Sequence, residues 1–262
     1  MRTASQHPYF DAPPVALAHQ GGDGHPPTRG LGNTMTAFRA AVELGYRYLE
    51  TDVHTTRDGH LVVFHDDRLD RVTDGQGLIA QLPWGTVQSA RVRGVEPIPE
   101  LSEVLETFPG IRVNVDIKAP GAVGPLWRVI REHGAEDRVC VGSFSNRRLA
   151  AFRRLSGPRV ATAAGVLGTA ALRFAPDWVS TWLHSPAQAL QVPASVSLWG
   201  LTRPVVTPQL LRTAHRLGKQ VHVWTIDEAA EMERLLDLGV DGIVTDRIEV
   251  LRDVLVARGQ WN

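Results

Sequence analysis

Cysteine is almost missing. Cys140 is the only one in 262 residues, so no disulfide forms within the chain and no cysteine-based zinc site can be assembled. It lies in the apolar run Val139-Cys140-Val141 and reads as a buried, inert thiol. Lysine is scarce too: Lys118 and Lys219 are two among 28 basic residues, the rest being arginine. A lysine kept against that drift points to a task that suits a compact ammonium. There is no excess charge, with 28 basic against 28 acidic residues, which excludes a nucleic-acid binder driven by bulk charge. No apolar run reaches the ~18 residues of a membrane span, and the opening MRTASQHPYFDAPP has no apolar core of a secretory signal. The expectation is a soluble, cytoplasmic protein with no nucleic-acid partner and no membrane insertion.

What is present is regular. Hydrophobic residues make up 43% and charged residues 21%, a globular balance that rules out disorder for the chain as a whole. Short β-rich runs alternate with amphipathic helices. Val15–Ala18 reads as a first strand, 33–44 as a helix, 46–53 as a second strand, 111–117 as a third and 138–142 as a fourth. Between and after them come helices over 101–108, 122–133 and 145–155, the last with Leu149, Phe152 and Leu155 inward. Towards the end, 208–217 is helical, 220–224 a strand, 226–238 a helix and 240–244 a strand. Thr225 and Glu228 have capping-box spacing, and Asp246 has the place of a cap for the last helix. Repeated strand–helix units of this kind predict parallel strands with crossover helices. At this length they predict one TIM (β/α)8 barrel domain over 1–262, with an insertion at about 54–98 after the second strand; a doubly wound open sheet is the alternative. Strands five and six must fall within the Pro-, Ser- and Trp-rich stretch 157–206, where no periodicity places them.

In such a barrel the chemistry gathers at the C-terminal strand ends. Those ends carry His19, Glu50-Thr51-Asp52, Asp116-Ile117-Lys118, Trp224 and Thr245-Asp246. Glu50 and Asp52 are two apart on one strand and point to one face. With Asp116 they make a carboxylate cluster that suits a hard cation, Mg2+ or Ca2+, or else stand as ordinary solvated acids. Lys118 suits a phosphate oxygen or a salt bridge to Asp116. His19 and His65 are the acid–base candidates and His54 the spare one. Gly21, Gly22 and Gly24 lack the spacing of a phosphate loop and read as a tight turn.

Taken in order, several blocks resemble the glycerophosphodiester phosphodiesterase family. They are Ala18-His19-Gln20-Gly21, Asn33-Thr34, Leu49-Glu50-Thr51-Asp52-Val53, Thr56-Arg57-Asp58-Gly59, Val63-Phe64-His65-Asp66, Asp116-Ile117-Lys118, Ser143-Phe144, Val223-Trp224-Thr225 and Gly239–Asp246. The resemblance implies Glu50, Asp52 and Asp116 as ligands of one divalent cation, and His19 and His65 as the acid–base pair. It also implies Lys118 at the phosphate and Trp224 at the pocket, with Gln20 at the position of a substrate-binding residue. The implied reaction is metal-dependent hydrolysis of a small-molecule glycerophosphodiester to sn-glycerol 3-phosphate and an alcohol. A phospholipase D-type lyase giving a cyclic phosphate is one alternative, and a non-catalytic phosphodiester-binding barrel is another.

The chain departs from the family at three places. Gln20 stands where arginine is usual, Gly32 where glutamate precedes the Asn-Thr pair, and Asp116 where the third acid is glutamate. Asp116 keeps an oxygen ligand. Gln20 replaces a charged fork with a neutral amide, a difference of roughly 10–100-fold in rate if the fork binds the transition state. Arg29 is the candidate to restore that charge, and Trp178, Trp182 and Trp199 are candidates to shape the alcohol side.

Overall fold

A computed structural model describes residues 3–11, 13–174, 186–198 and 201–261. Trp178, Trp182 and Trp199 lie outside the described residues. The chain opens with β1 (Val15–His19), α1 (Met35–Glu43), β2 (Tyr48–Thr55) and β3 (Leu61–Val63). It continues through α2 (Trp84–Ser89), β4 (Arg91–Val92), β5 (Glu96–Pro97), α3 (Leu101–Thr107), β6 (Arg112–Ile117) and α4 (Val123–Glu132). Next come β7 (Val139–Gly142), α5 (Asn146–Ser156), β8 (Ala161–Thr162), α6 (Val166–Phe174) and β9 (Ala189–Pro193). The last elements are β10 (Ser195–Leu198), β11 (Leu201–Pro204), α7 (Pro208–Arg216), β12 (Gln220–Trp224), α8 (Ala229–Leu238), β13 (Gly242–Thr245) and α9 (Ile248–Ala257).

Eight strands run parallel in the order β8-β7-β6-β2-β1-β13-β12-β9. A parallel bridge between Ala163 and Ala189 joins the two ends, with Gln188 N donating to Thr162 O at 2.9 Å and Ala164 N to Ala189 O at 2.7 Å. The result is the TIM (β/α)8 barrel that the strand–helix rhythm predicts. Strands five and six are β8 and β9. β8 is two residues long, too short to show a period.

Alternation along the strands sorts the side chains. Leu49, Val53, Val113, Val115 and Ile117 face outward into the core shared with the helices. Inside, the N-terminal half of the barrel is mostly apolar, with Gln220 and His222 as buried polar exceptions: Leu17, Tyr48, Cys140, Ala161, Ala189 and Val244 pack on Tyr9 and Phe10 of the leading segment. Cys140 is fully buried there, and burial pushes its thiol up, as an inert side chain requires. Towards the C-terminal end the interior turns polar, which positions the site.

Several local expectations need correction. The second strand runs on to Thr55, so Glu50 and Asp52 sit within it and His54 follows on the same face. α8 starts at Ala229, and its N-cap Glu228 makes no side-chain cap bond. Asp246 does not cap α9 either, whose N-cap is Arg247; its carboxylate is drawn instead to the histidine ending the neighbouring strand. Leu155 is exposed, and Ser156 takes the inward place on α5. Between β2 and β6, the antiparallel pairing of β3 with β2 starts a layer with its own apolar cluster, Val62, Phe64, Leu69, Ile79, Val87 and Ile98 among it.

Candidate active site at the barrel mouth

Strand register builds the centre of the site. β1 pairs His19 with Glu50, and β2 pairs Asp52 with Asp116 and Glu50 with Asn114. Three acids and a histidine therefore meet because the register of three adjacent strands sets them side by side. Glu50 is 8% exposed, Asp52 1% and Asp116 9%. Lys118 completes the group: its Nζ lies 2.8 Å from Asp52 Oδ1 and 2.8 Å from Asp116 Oδ2. The salt bridge expected between Lys118 and Asp116 is present and extends to Asp52. Burial works against its ammonium, but the two carboxylates outweigh it and hold the pKa above the usual lysine range.

One ammonium does not balance three carboxylates. Burial first, and the Asp52 charge second, push the Glu50 carboxyl up to about 8. His19 sits in the same field. Its Nδ1 lies 2.7 Å from Asp246 Oδ1 and its Nε2 3.8 Å from Glu50 Oε2. Burial disfavours the imidazolium, yet the Asp246 hydrogen bond and the charges of Glu50 and Asp52 raise it to about 9. Any cation that binds the carboxylates removes part of that field.

The loop after β1 closes over Asp52. Gln20 Nε2 and Asn33 Nδ2 both donate to Asp52 Oδ2, at 3.1 and 3.0 Å, and Gln20 N donates to Glu50 Oε2 at 3.3 Å. Thr51 Oγ1, on the outward face, donates to Asn33 Oδ1 at 2.7 Å and so fixes the amide from behind. Gln20 and Asn33 reach these positions with left-handed backbone, φ 51° and 61°. Gln20 therefore directs its amide to a carboxylate rather than to the open mouth. At Gly32, a Cβ would lie 2.8 Å from both Asp23 Oδ1 and Gln20 Oε1. Gly32 N donates to Asp23 Oδ1 at 2.7 Å. The glycine thus makes room for the Asp23 carboxylate in this loop.

His65 approaches from the inserted layer. It lines a crevice of about 60 Å3 with Gln20, Asn33, Asp66 and Arg71, and its Nδ1 is 2.8 Å from Asp66 Oδ1. The spare histidine, His54, is buried; burial lowers its pKa, and its Nε2 meets His65 O at 3.1 Å. Arg29 is exposed and does not line the crevice; Arg71 and Arg93 do. Trp224 closes the opposite side, edge-on to the exposed Phe144 with ring centroids 5.7 Å apart. Lys118 Nζ lies 5.8 Å from the centroid of that same Phe144 ring. The larger cavity, about 410 Å3, lies at the other end of the barrel beside Val15, Tyr48 and Trp261, away from these groups.

Sequence reasoning brings together His19, Gln20, Glu50, Asp52, Asp116 and Lys118 correctly in space. It misses Asn33, Asp23 and Arg71 as members of the site, and it places Asp246 at a strand end without its pairing to His19. Asn33 was visible within a family block. Asp246 was legible as a strand end but its partner was not, because only the pairing of β1 with β13 sets it beside His19.

The sequence profile of the glycerophosphoryl diester phosphodiesterase family matches residues 19–250. The chain belongs to the glycerophosphodiester phosphodiesterase family. Among its relatives in the family, a probable glycerophosphodiester phosphodiesterase 2 of Mycobacterium tuberculosis is 42% identical over 252 residues, covering 95% of this chain and 93% of the relative. A glycerophosphodiester phosphodiesterase of Caldanaerobacter subterraneus subsp. tengcongensis is 34% identical, covering 94% and 98%. The fold agrees with that of an Oleispira antarctica phosphodiesterase solved in complex with the product sn-glycerol-3-phosphate, with TM-score 0.78, 24% identity and 93% and 97% of the two chains covered.

Proposed function

We propose that this family member hydrolyses small glycerophosphodiesters to sn-glycerol 3-phosphate and an alcohol, in the cytoplasm. The observation that carries the reading is the strand-end group: three buried carboxylates, Lys118 and an Asp-backed His19 at one barrel mouth. The relatives' names and the product bound to the Oleispira enzyme support the same substrate class. No helix among the described residues is long and apolar enough to cross a membrane.

The donor set fits a hard cation. Asp116 Oδ1 is buried without a hydrogen-bond partner, and it faces the space left by Gly142, where a Cβ would stand 4.0 Å away. Burial first, and the charges of Asp52 and Asp116 after it, raise the Glu50 carboxyl, and a cation among these acids would offset the charge part of that shift. Among the described residues no three metal-binding side chains already stand as a chelating group, Lys118 lying between Asp52 and Asp116. Glu50, Asp52 and Asp116 are the residues that would hold Mg2+ or Ca2+, which when bound supplies Lewis-acid polarisation of a phosphoryl oxygen.

The chain's own groups do the rest. Lys118 offsets charge on the phosphoryl oxygens. Asp246 holds one proton of His19 on Nδ1, so that the neutral ring, which forms as the pH rises towards its raised pKa of about 9, presents Nε2 to the mouth to accept the proton of the nucleophile. His65 protonates the leaving alcohol. Gln20 braces Asp52, and Trp224 with Phe144 walls the alcohol side.

The test is release of sn-glycerol 3-phosphate from a panel of glycerophosphodiesters with Mg2+, Ca2+ or chelator, for the wild type and Glu50→Gln. Metal-dependent release that the substitution abolishes is the expected result. A cyclic phosphate as the product, or binding without turnover, overturns it.

A further inference from the structure

Both histidines of the site present Nδ1 to a carboxylate, but they are held differently. His19 ends a barrel strand. His65 follows β3 in the inserted layer, and its side chain is 48% exposed, so packing does not fix its ring. Polar contacts take over that task. Asp66 Oδ1 accepts from His65 Nδ1 at 2.8 Å. Arg71 grips the same carboxylate through its fork, Nε to Oδ2 at 2.6 Å and Nη2 to Oδ1 at 3.0 Å. A carboxylate only accepts, so this arrangement places the proton on Nδ1 and leaves Nε2 for the substrate.

We infer that Asp66 and Arg71 form a positioning relay for His65, which keeps Nε2 aimed at the alcohol oxygen that leaves phosphorus. The inference rests on the acid–base reading above. The relay borders the reacting centre, because His65, Asp66 and Arg71 line one crevice with Gln20 and Asn33, both donors to Asp52. The fork has a specific use. A single hydrogen bond lets an exposed carboxylate rotate about its own side chain, whereas two parallel bonds to one guanidinium hold its plane. Arg71 also holds the Asp66 carboxyl down to about 2, so Asp66 stays ionised and does not take the proton meant for the substrate.

The step balances simply. The P–O bond to the alcohol breaks, with its electron pair going to the alcohol oxygen. The Nε2–H bond of the imidazolium breaks, and that proton forms the new O–H bond. His65 is left neutral, its proton still on Nδ1 and donated to Asp66.

The experiment compares two diesters of glycerol phosphate in the metal-loaded enzyme. One carries an alkyl alcohol, which needs a proton to leave, and the other p-nitrophenol, which leaves as the anion. Asp66→Asn and Arg71→Met are each expected to lower kcat on the alkyl diester by about 10–100-fold and to spare the nitrophenyl diester. Arg71→Lys keeps the charge without the fork and falls between. Arg68→Ala, on the same loop but paired with Asp70, leaves both rates unchanged. Equal losses on both diesters, or no loss on either, overturn the relay. His65→Ala separates the two levels of the argument. If it shows the leaving-group split and the Asp66 and Arg71 variants do not, the relay fails and the acid role stands. If His65→Ala shows no split, the acid role itself fails.

Discussion

The two sides of the mouth are built by opposite means. The side made by β1, β2 and β6 is set by strand register and buried: Asp52 is 1% exposed and every acid there has its place fixed by a neighbouring strand. The side made by the inserted layer is open, with side-chain exposures of 48% at His65 and 66% at Arg71. There the geometry depends on hydrogen bonds between exposed groups rather than on packing. The difference teaches where each kind of substitution acts. Changes on the barrel side disturb charge balance and fold together, while changes on the inserted side disturb catalysis with little effect on stability, because exposed pairs contribute about 0–1 kcal/mol.

The largest effect is expected at Lys118. Lys118→Ala leaves Asp52 and Asp116 unbridged and should lower kcat/KM by roughly 10²–10³-fold. Lys118→Arg should not restore it, since a planar fork does not fit the point between two carboxylates 2.8 Å away on either side. Full activity in the arginine variant would show that any positive charge suffices. Next comes Asp246→Asn, which exchanges an acceptor for an amide beside His19. A fall in kcat of about 100-fold with KM nearly unchanged is expected in steady-state assays; a fall of less than about threefold would mean that the barrel alone orients His19.

Gly32→Ala sharpens the comparison on stability. Its Cβ would stand 2.8 Å from Asp23 Oδ1 and Gln20 Oε1, and urea unfolding should show a loss of about 1–3 kcal/mol. Adding Asp23→Gly removes one of the two clashing groups, so the double variant should lose less than the sum of the single ones. Additive losses would contradict the account of the loop.

The smallest effect concerns Glu50 in chelated protein. Its folded pKa of about 8 lies above the ordinary 4.5, so the folded state holds the extra proton between those values. Stability therefore falls as pH rises from 4.5 to 8. Glu50→Gln should have no advantage near pH 4.5 and an advantage above pH 8, read as a higher Tm. Equal Tm values at both pH values would contradict it.

Legibility in the sequence follows the same division. β2 and β6 were readable because inward acids alternate with outward apolar residues over six or more positions. Asp52, Asp116 and Lys118 came with them. β8 was not readable, because Ala161-Thr162 is too short to carry a period. Asp246 looked like a helix cap because its partner, His19, is 227 residues away. In the inserted layer His65 was marked by the apolar run before it, but nothing local showed that Arg71 would fold back five residues onto Asp66. Gly32 and Gln20 were visible as departures, and only the packed loop shows that Asp23 lies against Gly32 while Gln20 turns to Asp52.

The claim that most needs testing is that the exposed histidine of the inserted layer completes a site whose other groups belong to the barrel. The measurement is the turnover of His65→Ala, followed as sn-glycerol 3-phosphate released from an alkyl glycerophosphodiester at saturating substrate and metal. A loss of about 100-fold or more with the fold intact is the predicted result. Turnover equal to that of the wild type would contradict the account and leave the barrel side to act alone.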